Sequence, residues 1–269
     1  MTARHPLSPP IRELPLSEIE HRTCADAVPG GGCQAVPMTD VQDRSIVVVG
    51  ATGGLGAPLA HALTRAGARL TLVARSAERL AGLGIDGEVV AIDIRKSGSA
   101  DRVIDAALSR WGAVDGVVFV AGAVAFGAIA DTEDDVLIDL FTLNALAPMR
   151  LIRAALPALR DSAAAGHDPF ILNVSAVVAE QPMAGMAAYS AAKAALAAYD
   201  QAGMRELRRE GIRLVDARPP HTETGLAARP LAGTAPRMPE GLSPQAVAER
   251  MFSAITNGER DLPSNAFTS

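Results

Sequence analysis

The feature that most constrains this chain is a regular alternation that begins at Ser45. Short runs dominated by β-branched and other apolar residues occur at 46–49, 70–73, 89–92, 117–120, 170–174 and 212–215, separated by longer segments rich in Ala, Leu and Arg. Apolar strands separated by amphipathic helices imply a parallel sheet covered on both faces, because every parallel pairing needs a crossover. The expected fold is α/β: a single doubly wound parallel sheet with helices on both faces, filling residues 41–269. Residues 243–257 read as one further helix, with Ser243 as N-cap and Pro244 at the first helical position.

The loop after the first strand is Gly50-Ala51-Thr52-Gly53-Gly54-Leu55-Gly56, and a helix follows at once. Residues without Cβ let the chain turn sharply, let backbone approach a pyrophosphate and let helix and strand pack closely. The free N–H groups of the helix then face the anion. Strand, loop and helix in this order point to dinucleotide binding. No Lys-Ser/Thr pair closes the loop, so it is not a nucleoside-triphosphate loop. The second strand ends on Arg75-Ser76, where a carboxylate would have taken a ribose 2′-hydroxyl. A guanidinium there pairs with a 2′-phosphate, so the expected cofactor is NADP, ahead of NAD.

Charge and composition narrow the partners. The formal charge of −5 argues against nucleic-acid binding as the main task, since phosphate affinity is built from clustered Lys and Arg. Apolar runs break well short of the roughly 18 residues that span a bilayer. Cys24 and Cys33, the only cysteines, cannot form a disulfide framework, and a reducing cytoplasm is the expected location. No His, Cys or carboxylate cluster has metal-ligand spacing. Residues 1–40 hold six prolines and a Pro29-Gly30-Gly31-Gly32 run without helical or strand periodicity, so a poorly structured extension is expected there. It lacks the apolar core of a secretory signal, and Met38 makes a natural start for the folded part.

Tyr189-Ser190-Ala191-Ala192-Lys193 opens an Ala-rich helical stretch, and the spacing of four puts phenol and ammonium on one face. A nearby cation favours phenolate, so the tyrosine pKa is expected below its ordinary value near 10. Together with the glycine loop, this pair resembles the short-chain dehydrogenase/reductase family over residues 45–255. Val49 to Gly56 resembles the cofactor motif TGxxxGxG with Val for Thr. Asp93-Ile94 is similar to the pair that meets adenine, and Phe119-Val120-Ala121-Gly122 stands where NNAG is found. Asn144 matches the asparagine of the central helix, Tyr189 and Lys193 match YxxxK, and Pro219-Pro220-His221-Thr222-Glu223-Thr224 is similar to PGxxxT with Pro for Gly.

The resemblance implies a Rossmann-like fold and NAD(P)(H)-dependent hydride transfer between nicotinamide and a small-molecule carbonyl or secondary alcohol. Tyr189 is then the acid/base, Lys193 the pKa modifier and ribose ligand, and Asn144 a relay. The expected cofactor contacts are Gly50, Thr52, Gly53, Gly54, Leu55, Gly56, Arg75, Ser76, Asp93, Ile94, Ala121, Gly122, Tyr189, Lys193, Pro219, Thr222 and Thr224. Pro148 has no N–H for the Asn144 carbonyl, so a kink is expected there. One departure is prominent: the family's catalytic serine, thirteen residues before the tyrosine, is Ala176 here. Either Ser175 next to it or Tyr189 alone compensates, or the protein binds cofactor with weak or no redox activity. An epimerase-like reading of Gly50, Gly53 and Gly56 leaves too short a tail after Lys193 for a separate substrate domain. Residues 221–242 are expected to lid the pocket, with Arg229 and Arg237 facing an acidic group or solvent, and Trp111 is expected in the core. The small face of residues 187–198 suits a helix contact in a homodimer or homotetramer.

Overall fold

The computed structural model describes residues 39–267. Seven parallel strands form one sheet: β1 (Ser45–Val49), β2 (Arg69–Ala74), β3 (Gly87–Ala91), β4 (Gly116–Phe119), β5 (Phe170–Val174), β6 (Arg213–Ala217) and β7 (Asp261–Leu262). Their order is β3-β2-β1-β4-β5-β6-β7. The helices are α1 (Gly56–Arg65), α2 (Ala77–Ala81), α3 (Ser99–Trp111), α4 (Asp134–Phe141), α5 (Ala147–Ala164), α6 (Val177–Glu180), α7 (Ala187–Leu207) and α8 (Pro244–Thr256). The strand order reverses between β1 and β4, which pair in register Val48↔Val118. Such a reversal opens a crevice at the carboxyl ends of the strands, where doubly wound sheets bind ligands.

Strand side chains alternate between two cores. Ile46 and Val48 pack with Leu59 and Leu63 of α1 and Val247, Met251 and Ile255 of α8. Val47 and Val49 pack on the other face with Val103 and Ile104 of α3 and Leu151 and Ile152 of α5. Each such fully covered side chain contributes about 1.5–3 kcal/mol of transfer free energy, and this explains why β1 carries no polar residue after Ser45. The Ser243 hydroxyl caps α8 by accepting the Ala246 N–H at 3.1 Å. Sequence periodicity misses β7, because two residues carry no pattern. Trp111 is half-buried at the end of α3, not enclosed in the core; its indole donates to Thr71 Oγ1 at 3.2 Å.

Around Asn144 the expected kink takes the form of a π turn over Thr142–Leu146, joining α4 to α5. Pro148 supplies no N–H to close the α-helical bond to the Asn144 carbonyl, and the chain takes up the defect as a wider turn. The extension expected over residues 1–40 lies outside the described residues except for Thr39 and Asp40. Thr39 is buried: its N–H donates to the Thr256 carbonyl at 2.8 Å, and its hydroxyl takes Arg213 Nη2 at 2.7 Å. Among the described residues no helix is long and apolar enough to cross a membrane, and no group of side chains has the make-up of a metal site.

Candidate active site

A cavity of about 640 Å³ lies at the carboxyl ends of the strands and is bordered by almost every predicted site residue. Gly56 and Asn144 are the exceptions: both are buried behind the wall, Gly56 beneath the loop and Asn144 in the turn that joins α4 to α5. A Cβ on Gly56 would stand 2.0 Å from the Gly50 carbonyl oxygen, and one on Gly50, whose φ is +92°, would meet the Ala121 nitrogen at 2.7 Å. These two glycines let the loop lie against β4 and α1. A Cβ on Gly53 would meet only the Gly50 oxygen, at 3.1 Å, so this stretch of backbone stays open to an approaching group. α1 starts without a side-chain cap, which leaves its first N–H groups unclaimed by side chains. Ala57 N–H donates to the Gly53 carbonyl at 3.0 Å and Pro58 has none, so the donors left for a pyrophosphate are the main-chain N–H groups of Gly54 and Leu55 in the loop.

At the far end of the loop, Arg75 is exposed on the cavity wall. Ser76 caps α2, its hydroxyl accepting the Arg79 N–H at 3.2 Å. Arg79 escaped the sequence reading. Its Nη2 donates to the Thr52 carbonyl at 2.8 Å, so a second guanidinium lies beside Arg75 over the loop. The spacing Arg75 to Arg79, one helical turn, was the available signal. Asp93 is held below the usual carboxylate range by Arg95, which grips it at 2.8 Å and also reaches Asp139 at 3.1 Å. Ile94 is buried beside it.

The middle of the cavity joins β4, the π turn and α7. Asn144 donates to the Ala123 carbonyl at 2.9 Å and accepts the Ala123 N–H at 3.2 Å, clamping the strand's continuation. A Cβ on Gly122 would lie 3.1 Å from Asn144 Oδ1 and 3.6 Å from Lys193 Nζ. Lys193 is buried, donates to the Val174 carbonyl at 2.8 Å and lies 6.0 Å from the centre of the Tyr189 ring. Burial pulls its pKa down to about 8, against the opposing pull of the Asp216 and Asp200 carboxylates. Tyr189 departs from expectation. Burial pushes its phenol above the ordinary value, because the phenolate is desolvated and the ammonium is turned to Val174.

Ser175 borders the cavity with Ala176, and its buried hydroxyl donates to Asp216 Oδ1 at 2.5 Å. Arg218 Nη1 holds the other Asp216 oxygen at 2.6 Å, while its remaining nitrogens grip Glu180 at 2.5 Å and Asp261 at 2.7 Å. Asp200 is fully buried on Asn173 Nδ2 at 2.8 Å, and burial with the neighbouring Asp216 pushes its pKa well up. Sequence reasoning passed over these groups. Asp216 and Arg218 stand two apart along β6 and its continuation, and Asp200 seven beyond Lys193. Charges at such spacings inside otherwise apolar faces are the trace they leave.

Beyond Tyr189 the wall turns apolar, with Phe126, Val178, Met183, Met186, Leu226 and Leu231. The segment 221–242 covers this end through main-chain bonds: Leu231 N–H to Val124 at 2.8 Å and Phe126 N–H to Ala232 at 3.0 Å. Arg229 borders the cavity and Arg237 does not. His221 Nε2 faces Glu223 at 3.2 Å. Pro219, Thr222 and Thr224 border the cavity, and a Cβ on Gly54 would strike Thr224 at 2.7 Å.

The short chain dehydrogenase family model matches residues 44–233. The chain belongs to this family. An uncharacterized oxidoreductase of Staphylococcus epidermidis is 28% identical over 223 residues, 81% of this chain and 94% of that protein. A short-chain dehydrogenase from Streptomyces avermitilis superposes with a TM-score of 0.73 at 27% identity, covering 84% of this chain and 90% of that one. The 3-ketoacyl-(acyl-carrier-protein) reductase from Brucella melitensis, complexed with NADH, gives 0.75 at 25%, covering 83% and 97%. This short chain dehydrogenase is an NAD(P)-dependent oxidoreductase with the Rossmann-like sheet read from its sequence. The weak-redox alternative gains no support over that function.

Proposed function

We propose that the protein reduces the carbonyl of a largely apolar small molecule with NADPH, Tyr189 giving the proton. The observation that carries this reading is the continuity of one cavity, in which the glycine loop, the buried Tyr189–Lys193 pair and an apolar chamber follow in order. The bound cofactor supplies hydride to the carbonyl carbon. Tyr189, kept protonated by burial, delivers its phenolic proton to the oxygen, and an alcohol results. Lys193, still mostly protonated at neutral pH, stands near the negative charge left on the phenol. Asn144 holds the Ala123 backbone that borders the same space. Arg75 and Arg79 support NADP, since two exposed guanidinia over the ribose end suit a 2′-phosphate. Position 176 carries no hydroxyl and that of Ser175 is given to Asp216, which supports Tyr189 as the side-chain donor to the substrate oxygen. NADPH and NADH oxidation with aldehydes and ketones of increasing apolar size tests the proposal. Saturable NADPH turnover that disappears in Tyr189→Phe is expected, and turnover retained by that variant would overturn the assignment.

A further inference from the structure

A second cavity, of about 510 Å³, lies at the opposite, amino-terminal edge of the sheet, lined by Met204, Arg205, Arg208, Arg209, Leu214 and Arg260. Arg205, Arg208 and Arg209 follow the i, i+3, i+4 spacing of one helix face, where α7 runs into a tight turn over Arg208–Glu210. Gly211, with φ of +72°, then turns the chain into β6. Arg260 comes from the connection between α8 and β7, so two separate parts of the chain bring their cations to one hollow.

These four arginines make no ion pair among the described residues. Of the carboxylates next to them in sequence, Glu206 is exposed and makes no ion pair with them, and the other three are committed elsewhere. Glu210 takes Arg160 at 2.5 Å, Glu259 takes Arg250 at 2.7 Å, and Asp261 takes Arg218 at 2.7 Å. The four guanidinium side chains have neither an ion pair nor a hydrogen bond with the described residues. The field they create reaches inward, because the Arg213 guanidinium is pushed down first by burial and further by Arg260. In a chain of net charge −5, four gathered and unpaired cations repel one another, and an anion between them relieves that repulsion. Each guanidinium offers a planar fork that fits phosphoryl oxygens in pairs. The hollow has the size of a ligand pocket, and a single phosphate would leave most of it empty.

We propose that this cavity is a binding site for a small oligophosphate, a molecule with two or more linked phosphoryl groups, held by Arg205, Arg208, Arg209 and Arg260. A free oligophosphate and a nucleotide share this chemistry, and Met204 and Leu214 give an apolar floor on which a base can rest. The site shares no lining residue with the cofactor cavity and does not depend on the proposed reaction.

The test is calorimetric titration of sodium tripolyphosphate and of ATP into the full chain, already saturated with NADPH so that the glycine loop is filled. Saturable binding at low salt is expected, at least tenfold tighter than inorganic phosphate, and weakened at least tenfold by R209E and separately by R260E. Those variants keep the NADPH affinity of the parent. Equal affinity for tripolyphosphate and ATP assigns a free chain, and tighter ATP assigns a nucleotide. Binding that survives both substitutions, or its absence in the parent, overturns the proposal. A change of oligomeric state by light scattering in R209E and R260E, without anion binding by the parent, overturns it too and assigns the arginines to a subunit contact.

Discussion

Two adjacent positions, 175 and 176, are expected to respond in opposite ways to substitution. Ser175→Ala removes a buried hydroxyl that donates to Asp216 Oδ1 at 2.5 Å. Hydrogen bonds to charged groups contribute about 1.5–3 kcal/mol, and Asp216 keeps Arg218 on its other oxygen, so a loss of about 2 kcal/mol is expected. For a domain of this size that corresponds to a fall in melting temperature of roughly 4–8 °C. Turnover should change less than threefold, because the hydroxyl's proton is already given to Asp216. Ala176→Ser does the reverse. Ala176 lies on the cavity wall with an extended backbone and is only partly buried, so a hydroxyl fits there with little disturbance. A donor aimed at a developing oxyanion is worth about a hundred- to a thousandfold in rate in enzymes built around it. A graft without its supporting contacts should recover a fraction of that, on the order of tenfold in kcat. Differential scanning fluorimetry and steady-state NADPH oxidation on the two variants read both effects. A Ser175→Ala variant that melts normally yet loses a hundredfold in kcat would refute the reasoning and restore Ser175 to the reaction.

Arg75→Asp combined with Arg79→Ala should shift the ratio of NADPH to NADH affinity at least tenfold toward NADH, about 1.4 kcal/mol, as read by fluorescence titration. Gly56→Ala should abolish cofactor binding in the same titration, because its Cβ would stand 2.0 Å from the Gly50 oxygen and displace the loop. Lys193→Met should raise the melting temperature of the cofactor-free protein at pH 7 by more than at pH 10. The folded Lys193 pKa, about 8, lies below that of the unfolded chain, so the parent alone gains stability from this group as pH rises above 8 toward the ordinary lysine value. Melts of both proteins across that range check the sign.

The fold was legible because its signal is redundant: six strands repeat the same apolar signature, and any one of them can drift by a residue or two without changing the topology. β3 does start earlier than its apolar run, and β6 later. The site was legible where backbone requirements leave only one residue type, as at Gly50 and Gly56, or where helical spacing joins two side chains, as at Tyr189 and Lys193. It was illegible where a side chain's partner is set by the packed chain. Ser175 and Ala176 differ by one step along the chain and both border the cavity, and spacing alone could not say that the Ser175 hydroxyl is engaged by Asp216. The Tyr189 pKa was missed for a related reason, since proximity to a cation is visible in sequence whereas the burial that outweighs it belongs to the packed chain.

The cover over the apolar chamber is stitched to the body of the protein by main-chain bonds, Leu231 to Val124 and Phe126 to Ala232, and its two ends are tied to each other by Leu242 N–H to the His221 carbonyl at 2.8 Å. The side chains that face the chamber from this cover, Leu226, Leu231 and Met238 among them, take no part in the stitching. Anchoring and selectivity are therefore separable. Exchanging Leu226 or Met238 for smaller or larger residues can reshape what the chamber admits without detaching the cover. This segment is accordingly the part of the enzyme in which new substrate ranges can arise by single substitutions, whether by drift or by design.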